Sequence, residues 1–127
     1  MPNKPRSITI KINPYGATLK LFTSLPSYRK AVEKAGETTQ ADDNCCGETT
    51  AIGNQTIIVG IFDNSFNTLV HELTHVCTIV LMDTDSLIHN NTFNDEPLAY
   101  LLGWLTEEVM KKLHKVKAVN LIDTQGE

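Results

Sequence analysis

The stretch NTLVHELTHVCTIVLMD, residues 67–83, decides the expected fold because it predicts one long helix. Its apolar residues recur at the three- and four-residue spacing of a helix and fall on one side of it. His71, Glu72 and His75 share the opposite sector. We expect the helix to be covered on nearly all sides. These polar residues are therefore not expected to be ordinary solvent-exposed side chains. The apolar residues are Leu69, Val70, Leu73, Val76, Cys77, Val80 and Leu81.

The three polar residues form the pattern HExxH, whose spacing suits a metal ion. Two imidazoles one helical turn apart can each reach a single zinc ion at about 2.0 to 2.1 Å. The Glu between them points beside the ion, where it can take a proton from a metal-activated water. The sequence therefore predicts one Zn²⁺ ion, with His71 and His75 as ligands and Glu72 as the general base.

A catalytic zinc ion needs a third protein ligand and an open fourth position. The longer metzincin pattern HExxHxxGxxH is excluded, because Thr78 and Leu81 stand where its Gly and third His belong. The ligand is therefore sought further along the chain, where the candidates are His89, Asp95, Glu96 and His114.

Glu96 is the preferred third ligand because it begins the last predicted helix. Pro97 is typical of a first helical turn, where the helix dipole favours a carboxylate. On the same face, Ala99 and Gly103 are expected to allow close approach of a neighbouring helix. The alternatives are that Glu96 is only a first-turn carboxylate and that His89 is the ligand. His114, at a lysine-rich helix end, is expected at the surface.

The residues before the central helix predict two hairpins and one short helix. Residues 6–12 and 18–22 alternate apolar and polar side chains around the turn NPYGA. In residues 24–36 we expect a helix, with Ser24 as the N-cap and Gly36 as the stop. A polar loop follows at 37–48, and residues 49–63 then predict a hairpin around Gly53 and Asn54.

The second half of the chain predicts two helices and completes an α+β fold. Asp63, Asn64 and Ser65 are candidate caps for the central helix, which is expected to end near Met82. After a polar loop, the last helix is expected over about 95–115. Its apolar stripe consists of Leu98, Leu101, Leu102, Leu105, Val109 and Leu113.

Length, charge and cysteine content limit the function. A chain of 127 residues is expected to form one domain over 1–127, in which the tail after about 117 is expected to be irregular. Its 11 basic and 15 acidic residues give a charge of -4, and the scattered basic residues argue against a nucleic-acid partner. No stretch has the length and apolarity of a signal h-region or a membrane span, so we expect a cytoplasmic protein.

The three cysteines predict no regular disulfide framework, which fits a reducing compartment. Cys45 and Cys46 are adjacent in a polar loop, where two free thiols are the default and a redox or metal-capping element is the alternative. Cys77 is expected to point away from the imidazoles and into the core.

HELTH followed by a glutamate on the next helix resembles the gluzincin group of zincin metallopeptidases, which includes thermolysin. VGIFDNSFNTLVHELTHV and NDEPLAYLLGWLTEE are also similar to small HExxH proteins encoded by phages and prophages. The close resemblance covers about residues 56–108. It implies a minimal zincin-like fold, with a small twisted, mostly antiparallel sheet packed on the HExxH helix and a C-terminal helix that brings the third ligand.

The resemblance implies a phage- or prophage-encoded zinc metallopeptidase that is located in the cytoplasm of the bacterial host cell and acts on a peptide or protein substrate. In it, Glu72 would activate a zinc-bound water, and Glu96 would join the two histidines on the ion. Tyr100 stands where thermolysin-like enzymes carry an Asp; it either donates to the oxyanion or a ligand, or packs its ring into the core. The strand at about 56–61 would border the cleft and offer a free edge to an extended peptide.

Two other classes of function remain open from the sequence. One is a zinc-binding protein that does not hydrolyse anything and acts by binding a host protein. The other is a zincin-like domain without a metal. The sequence predicts neither the cleavage specificity nor the oligomeric state.

Overall fold

A computed structural model of the chain describes residues 7–53, 55–82, 88–89, 92–93 and 95–116, with the backbone alone at 88–89, 92–93 and 115–116. The predicted tail after 117, most of the loop at 83–94 and the turn residue Asn54 lie outside these residues. The α+β class is confirmed. The elements are β1 (Ser7–Ile12), β2 (Ala17–Phe22), α1 (Leu25–Lys34), β3 (Gly47–Ile52), β4 (Thr56–Ile61), α2 (Phe66–Met82), β5 (Ile88–His89), β6 (Thr92–Phe93) and α3 (Glu96–Val116).

Both predicted hairpins are confirmed. β1 pairs antiparallel with β2, and the alternation in β1 buries Ile8, Ile10 and Ile12 while its other residues face solvent. β3 pairs antiparallel with β4. At the turn between them, Gly53 has a φ of 61°, in the left-handed region that a residue without Cβ adopts without strain.

The two hairpins join into one four-stranded sheet in the order β1-β2-β4-β3. The joining pair, β2 with β4, is parallel, which makes the sheet mixed. α1 lies between β2 and β3 in the chain, and this crossover allows the second hairpin to align β4 with β2. β4 is thus paired on both sides. β1 and β3 form the two edges of the sheet, and we call β3 the outer strand.

The expectation that residues 56–61 present a free edge is therefore wrong. Ile57, Ile58 and Val59 of β4 are all buried, so that both faces of the strand are covered. A nearly continuous apolar run is typical of such an interior strand, whereas an edge strand usually alternates. Among the described strands, β3 is the one beside the HExxH helix that has an unpaired edge.

α1 packs on one face of the sheet. It begins as predicted, with the Ser24 hydroxyl accepting the Ser27 N–H at 3.4 Å, and Gly36 follows its end with a φ of 87°. Tyr28 and Val32 are fully buried on this face. Around them lie Ala41 and Ile58, with Phe22, Leu25, Ala31, Cys45, Ile52 and Phe62 at the margin.

α2 and α3 cover the opposite face and build the larger core. The predicted apolar stripe of α2 is confirmed, with Val70 only partly buried. α3 contributes Leu101, Leu105, Val109 and Leu113 to the same cluster. The sheet residues in this core include Ile10, Leu19, Leu21, Ile57, Val59 and Ile61. Within the described ranges, no helix has the length and apolarity to cross a bilayer.

Candidate metal centre

The turn before α2 fixes where the HExxH residues lie. The Ser65 hydroxyl accepts the Thr68 N–H at 3.3 Å, which makes Ser65 the cap among the three predicted candidates. Thr68 also donates from its hydroxyl to Asp63 at 2.8 Å. The helix therefore starts at a defined residue, Phe66, and the motif lies on its second and third turns.

The two imidazoles of the motif lie side by side at the surface. The ring centroids of His71 and His75 are 4.9 Å apart, and the rings are inclined by 81°. Both side chains are exposed, so the expectation that α2 is covered on nearly all sides is wrong for them. α2 packs through its apolar stripe and through Glu72, which faces β3, whereas the side chains of His71 and His75 face outward. A ligand can reach both rings from solvent.

Glu72 is the charged residue of the motif that is buried. It is 6% exposed and is the only buried charged side chain in the described part of the chain. Its carboxylate accepts a 2.6 Å hydrogen bond from the Thr49 hydroxyl of β3. A buried carboxylate is costly unless it is hydrogen-bonded, so this contact with the outer strand offsets part of the desolvation.

A groove runs between β3 and α2, and Glu72 forms part of its floor. It consists of two cavities of about 330 and 310 Å³ that share Gly47 and Glu72. We call it the β3–α2 groove. The first cavity is also lined by Glu48, Thr49, His75 and Ile79, and the second by Cys46, Asn67, Thr68 and His71.

Gly47 allows β3 to approach α2 this closely. A Cβ at this position would lie 2.8 Å from the Gly60 carbonyl oxygen, 2.8 Å from Thr68 Cγ2 and 3.2 Å from Glu72 Cγ. The sequence-based prediction missed both Gly47 and Thr49. Gly47 fell in the predicted polar loop at 37–48, whereas the structure begins β3 at this residue. A glycine within a strand is typical of close backbone approach.

Glu96 begins α3, as predicted, but the structure does not bring it together with the two histidines. In the described ranges, no group of three His, Cys, Asp or Glu side chains is placed to hold a metal. The leucine stripe of α3 turns inward, and Glu96 is exposed on the other side of the helix. The expected close approach at Gly103 is wrong among the described residues, since a Cβ there would meet none of their atoms within 4 Å.

Tyr100 shares the exposed side of α3 with Glu96. Its side chain is 77% exposed, so the alternative in which its ring packs into the core is wrong. Tyr100 does not line either cavity of the groove. His114 is exposed, as predicted, and for His89 the structure describes only the backbone.

The three cysteines are free thiols in different surroundings. Cys46 is exposed, and its hydrogen bond to the Asp63 carboxylate, together with the charge of that group, raises the pKa of the thiol. Cys45 donates to the Gly47 carbonyl at 3.0 Å. Cys77 is buried, as predicted, and burial raises its pKa to about 12. Of the three cysteines, Cys46 is the one that lines the β3–α2 groove.

The groove has to be interpreted from its own chemistry. Comparison of the chain with protein-family models, curated proteins and solved structures gave no match. The resemblance to gluzincins accordingly depends on the order and spacing of His71, Glu72, His75 and Glu96.

Proposed function

We propose that the protein is a zinc-dependent peptidase of the gluzincin kind. In this proposal His71 and His75 hold one zinc ion, and Glu72 is the general base. The observation that carries it is the contrast between two exposed, adjacent imidazoles and a buried carboxylate between them, all lining one groove. Glutamate is rarely buried, so a buried carboxylate that lines a cleft beside potential metal ligands is a candidate functional residue.

The side chains present fit part of a zinc site. Two imidazoles one turn apart are a suitable donor pair, and both are open to solvent. Zinc, when bound, would supply a Lewis acid that activates water and polarises a carbonyl group. Glu96 remains the proposed third ligand. Because it is not grouped with the pair in this arrangement, ligation requires the first turn of α3 to move.

Proton transfer is the part of the reaction assigned to Glu72. Thr49 occupies its Oε1 atom, and no other donor in the described residues reaches the carboxylate. None of the fully buried side-chain oxygens in these residues lacks a partner, so Oε2 is open to the groove. From there Glu72 takes a proton from water as the water attacks, and passes it to the leaving amine.

The substrate proposed for the groove is an extended peptide. β3 has an unpaired edge among the described strands and borders the groove through Gly47, Glu48 and Thr49. A peptide can add to such an edge by main-chain hydrogen bonds, which recognise backbone more than side chains. This replaces the strand expected from the sequence, because β4 has no free edge. Tyr100 would act on the oxyanion only after the same movement that brings Glu96 to zinc.

The proposal is tested by comparing wild type with Glu72→Gln. Protein purified without chelator is analysed for zinc, and cleavage of a bacterial proteome is then profiled for both proteins. We expect about one zinc per chain in both and cleavage by the wild type only. Glu33→Gln is the matched control, because Glu33 is exposed on α1, across the sheet from the groove. Absence of stoichiometric zinc, or equal cleavage by Glu72→Gln, would refute the proposal.

A second candidate is a zinc-binding protein that acts by binding a host protein. The absence of a grouped third ligand in the described residues favours it, as does the exposure of Tyr100 and Trp104 one turn apart on α3. Exposed aromatic side chains are common at protein interfaces. Under this candidate, Glu72→Gln keeps the biological effect, whereas substitution of Tyr100 and Trp104 by alanine abolishes it.

A further inference from the structure

Thr49 and Glu72 connect the outer strand of the sheet to the HExxH helix. We infer that Thr49 is a positioning residue that holds the Glu72 carboxylate for proton transfer; this rests on the proposed function, in which Glu72 is the base. The Thr49 hydroxyl lies 2.6 Å from Oε1 and 3.4 Å from the backbone oxygen of Glu72. An ionised carboxylate only accepts hydrogen bonds, so the hydroxyl donates.

The hydrogen bond gives the two oxygens of the Glu72 carboxylate different roles. Oε1 is held by Thr49, and Oε2 is left open to the groove, where water and substrate have access. A glutamate side chain has several rotamers of similar energy, and an exposed one samples them. A fixed Oε1 therefore keeps Oε2 at one place, which is the preorganisation that a general base needs.

Thr49 is itself held in place from the other face of the sheet. Its neighbour Glu48 points the opposite way and accepts hydrogen bonds from the Tyr28 hydroxyl at 2.7 Å and the Thr39 hydroxyl at 2.5 Å. Thr50, also on that face, lies 2.7 Å from the same Tyr28 oxygen. Strand β3 is thus tied to α1 directly beside Thr49, and the Thr49 hydroxyl meets Glu72 from a fixed position.

Three variants separate positioning from a merely structural role. Thr49→Val keeps the shape of the side chain and removes the hydroxyl, whereas Thr49→Ser keeps the hydroxyl. Thr9→Val is the matched control, because Thr9 is exposed on β1 at the far edge of the sheet. We expect Thr49→Val to lower kcat about 10- to 100-fold with KM and zinc content unchanged, as for lost partners of catalytic groups. Thr49→Ser should restore kcat to within about threefold of wild type.

A second measurement does not depend on activity. Crystal structures of the metal-free proteins should show the Glu72 carboxylate in one conformation in wild type and Thr49→Ser, and displaced or in several conformers in Thr49→Val. If Thr49→Val fails to fold, Thr49→Ala takes its place in both measurements. An undisturbed Glu72 in the variant that lacks the hydroxyl, or an unchanged kcat, would overturn the inference. If wild type has no zinc-dependent hydrolysis, the proposed function fails, and the crystal structures alone decide whether Thr49 positions Glu72.

Discussion

The Tyr28 hydroxyl donates a 2.7 Å hydrogen bond to Glu48 Oε1, which ties α1 to the outer strand of the sheet. Burial, followed by this hydrogen bond, raises the pKa of the Tyr28 phenol well above its usual range. The pair lies on the face of β3 opposite to Glu72. The groove therefore depends on a contact that Glu48, one of its lining residues, makes with a helix on the other face of the sheet.

Tyr28→Phe should destabilise the protein without unfolding it. The change removes a hydrogen bond to a partly buried carboxylate, which we expect to lower the unfolding free energy by about 1.5 kcal/mol, the low end for bonds to charged groups. Urea denaturation at neutral pH measures the difference. Tyr15→Phe is the control, because Tyr15 is exposed in the β1–β2 turn, and it should change stability by less than about 0.5 kcal/mol. Equal stability of the two variants would contradict the role of the Tyr28 hydroxyl.

Gly47→Ala should destabilise the protein, whereas Gly103→Ala should stabilise it. The new Cβ at position 47 meets the backbone oxygen of Gly60, which cannot move without disturbing the β3–β4 pairing, and we expect a cost of about 1 to 3 kcal/mol. At Gly103, within α3, the Cβ meets no atom of the described part of the chain, and alanine should stabilise the protein by about 0.5 to 1 kcal/mol. Thermal denaturation of both variants checks the opposite signs.

Zinc should stabilise the wild-type protein and not His75→Ala. A ligand that binds only the folded state at 100 times its Kd raises the unfolding free energy by about 2.7 kcal/mol. Removing one of the two imidazoles should abolish most of this gain. His114→Ala, on the exposed side of α3, is the control and should respond to zinc like wild type. A zinc-induced shift in Tm that is the same in all three proteins would exclude the histidine pair as the site.

Glu96→Gln tests the third ligand on its own. If the first turn of α3 brings Glu96 to the ion, the amide should weaken zinc binding at least about tenfold, or about 1.4 kcal/mol. Calorimetric titration of zinc into the metal-free protein measures this, with Glu107→Gln, further along α3, as the control. Unchanged affinity would leave His71 and His75 as a metal-binding pair and remove the gluzincin assignment.

Cys77 should contribute to loss of stability in alkali. Burial raises the pKa of its thiol from 9.0 to about 12, so above pH 9 the unfolded chain loses this proton while the folded protein keeps it. The contribution of the protonated Cys77 thiol to the unfolding free energy is fully present below pH 9 and is lost as the pH rises towards 12. Cys77→Ala should therefore show a shallower fall in urea midpoint between pH 8 and 11 than Cys45→Ala. Parallel curves for the two variants would contradict this assignment.

The sequence by itself determined the local elements and the pair of histidines in the proposed site. Periodicity of two in residues 6–12 and 18–22 predicted the first hairpin, and periodicity near 3.6 predicted which sides of α2 and α3 are apolar. These features depend on neighbours along the chain, because a buried face must repeat with the pitch of its own element. For the same reason the spacing of four residues between His71 and His75 predicted that the two imidazoles are neighbours on one side of the helix.

Only the tertiary structure decided which strand lies beside the HExxH helix. Parallel pairing of β2 with β4 places β3 at the edge, and such pairing depends on hydrogen bonds between residues far apart in sequence, which local pattern does not encode. It brings Thr49 and Gly47 to Glu72, two contacts that cross between separate elements. It also leaves both imidazoles and Glu96 exposed, because coverage of a helix depends on what packs against it rather than on its own residues.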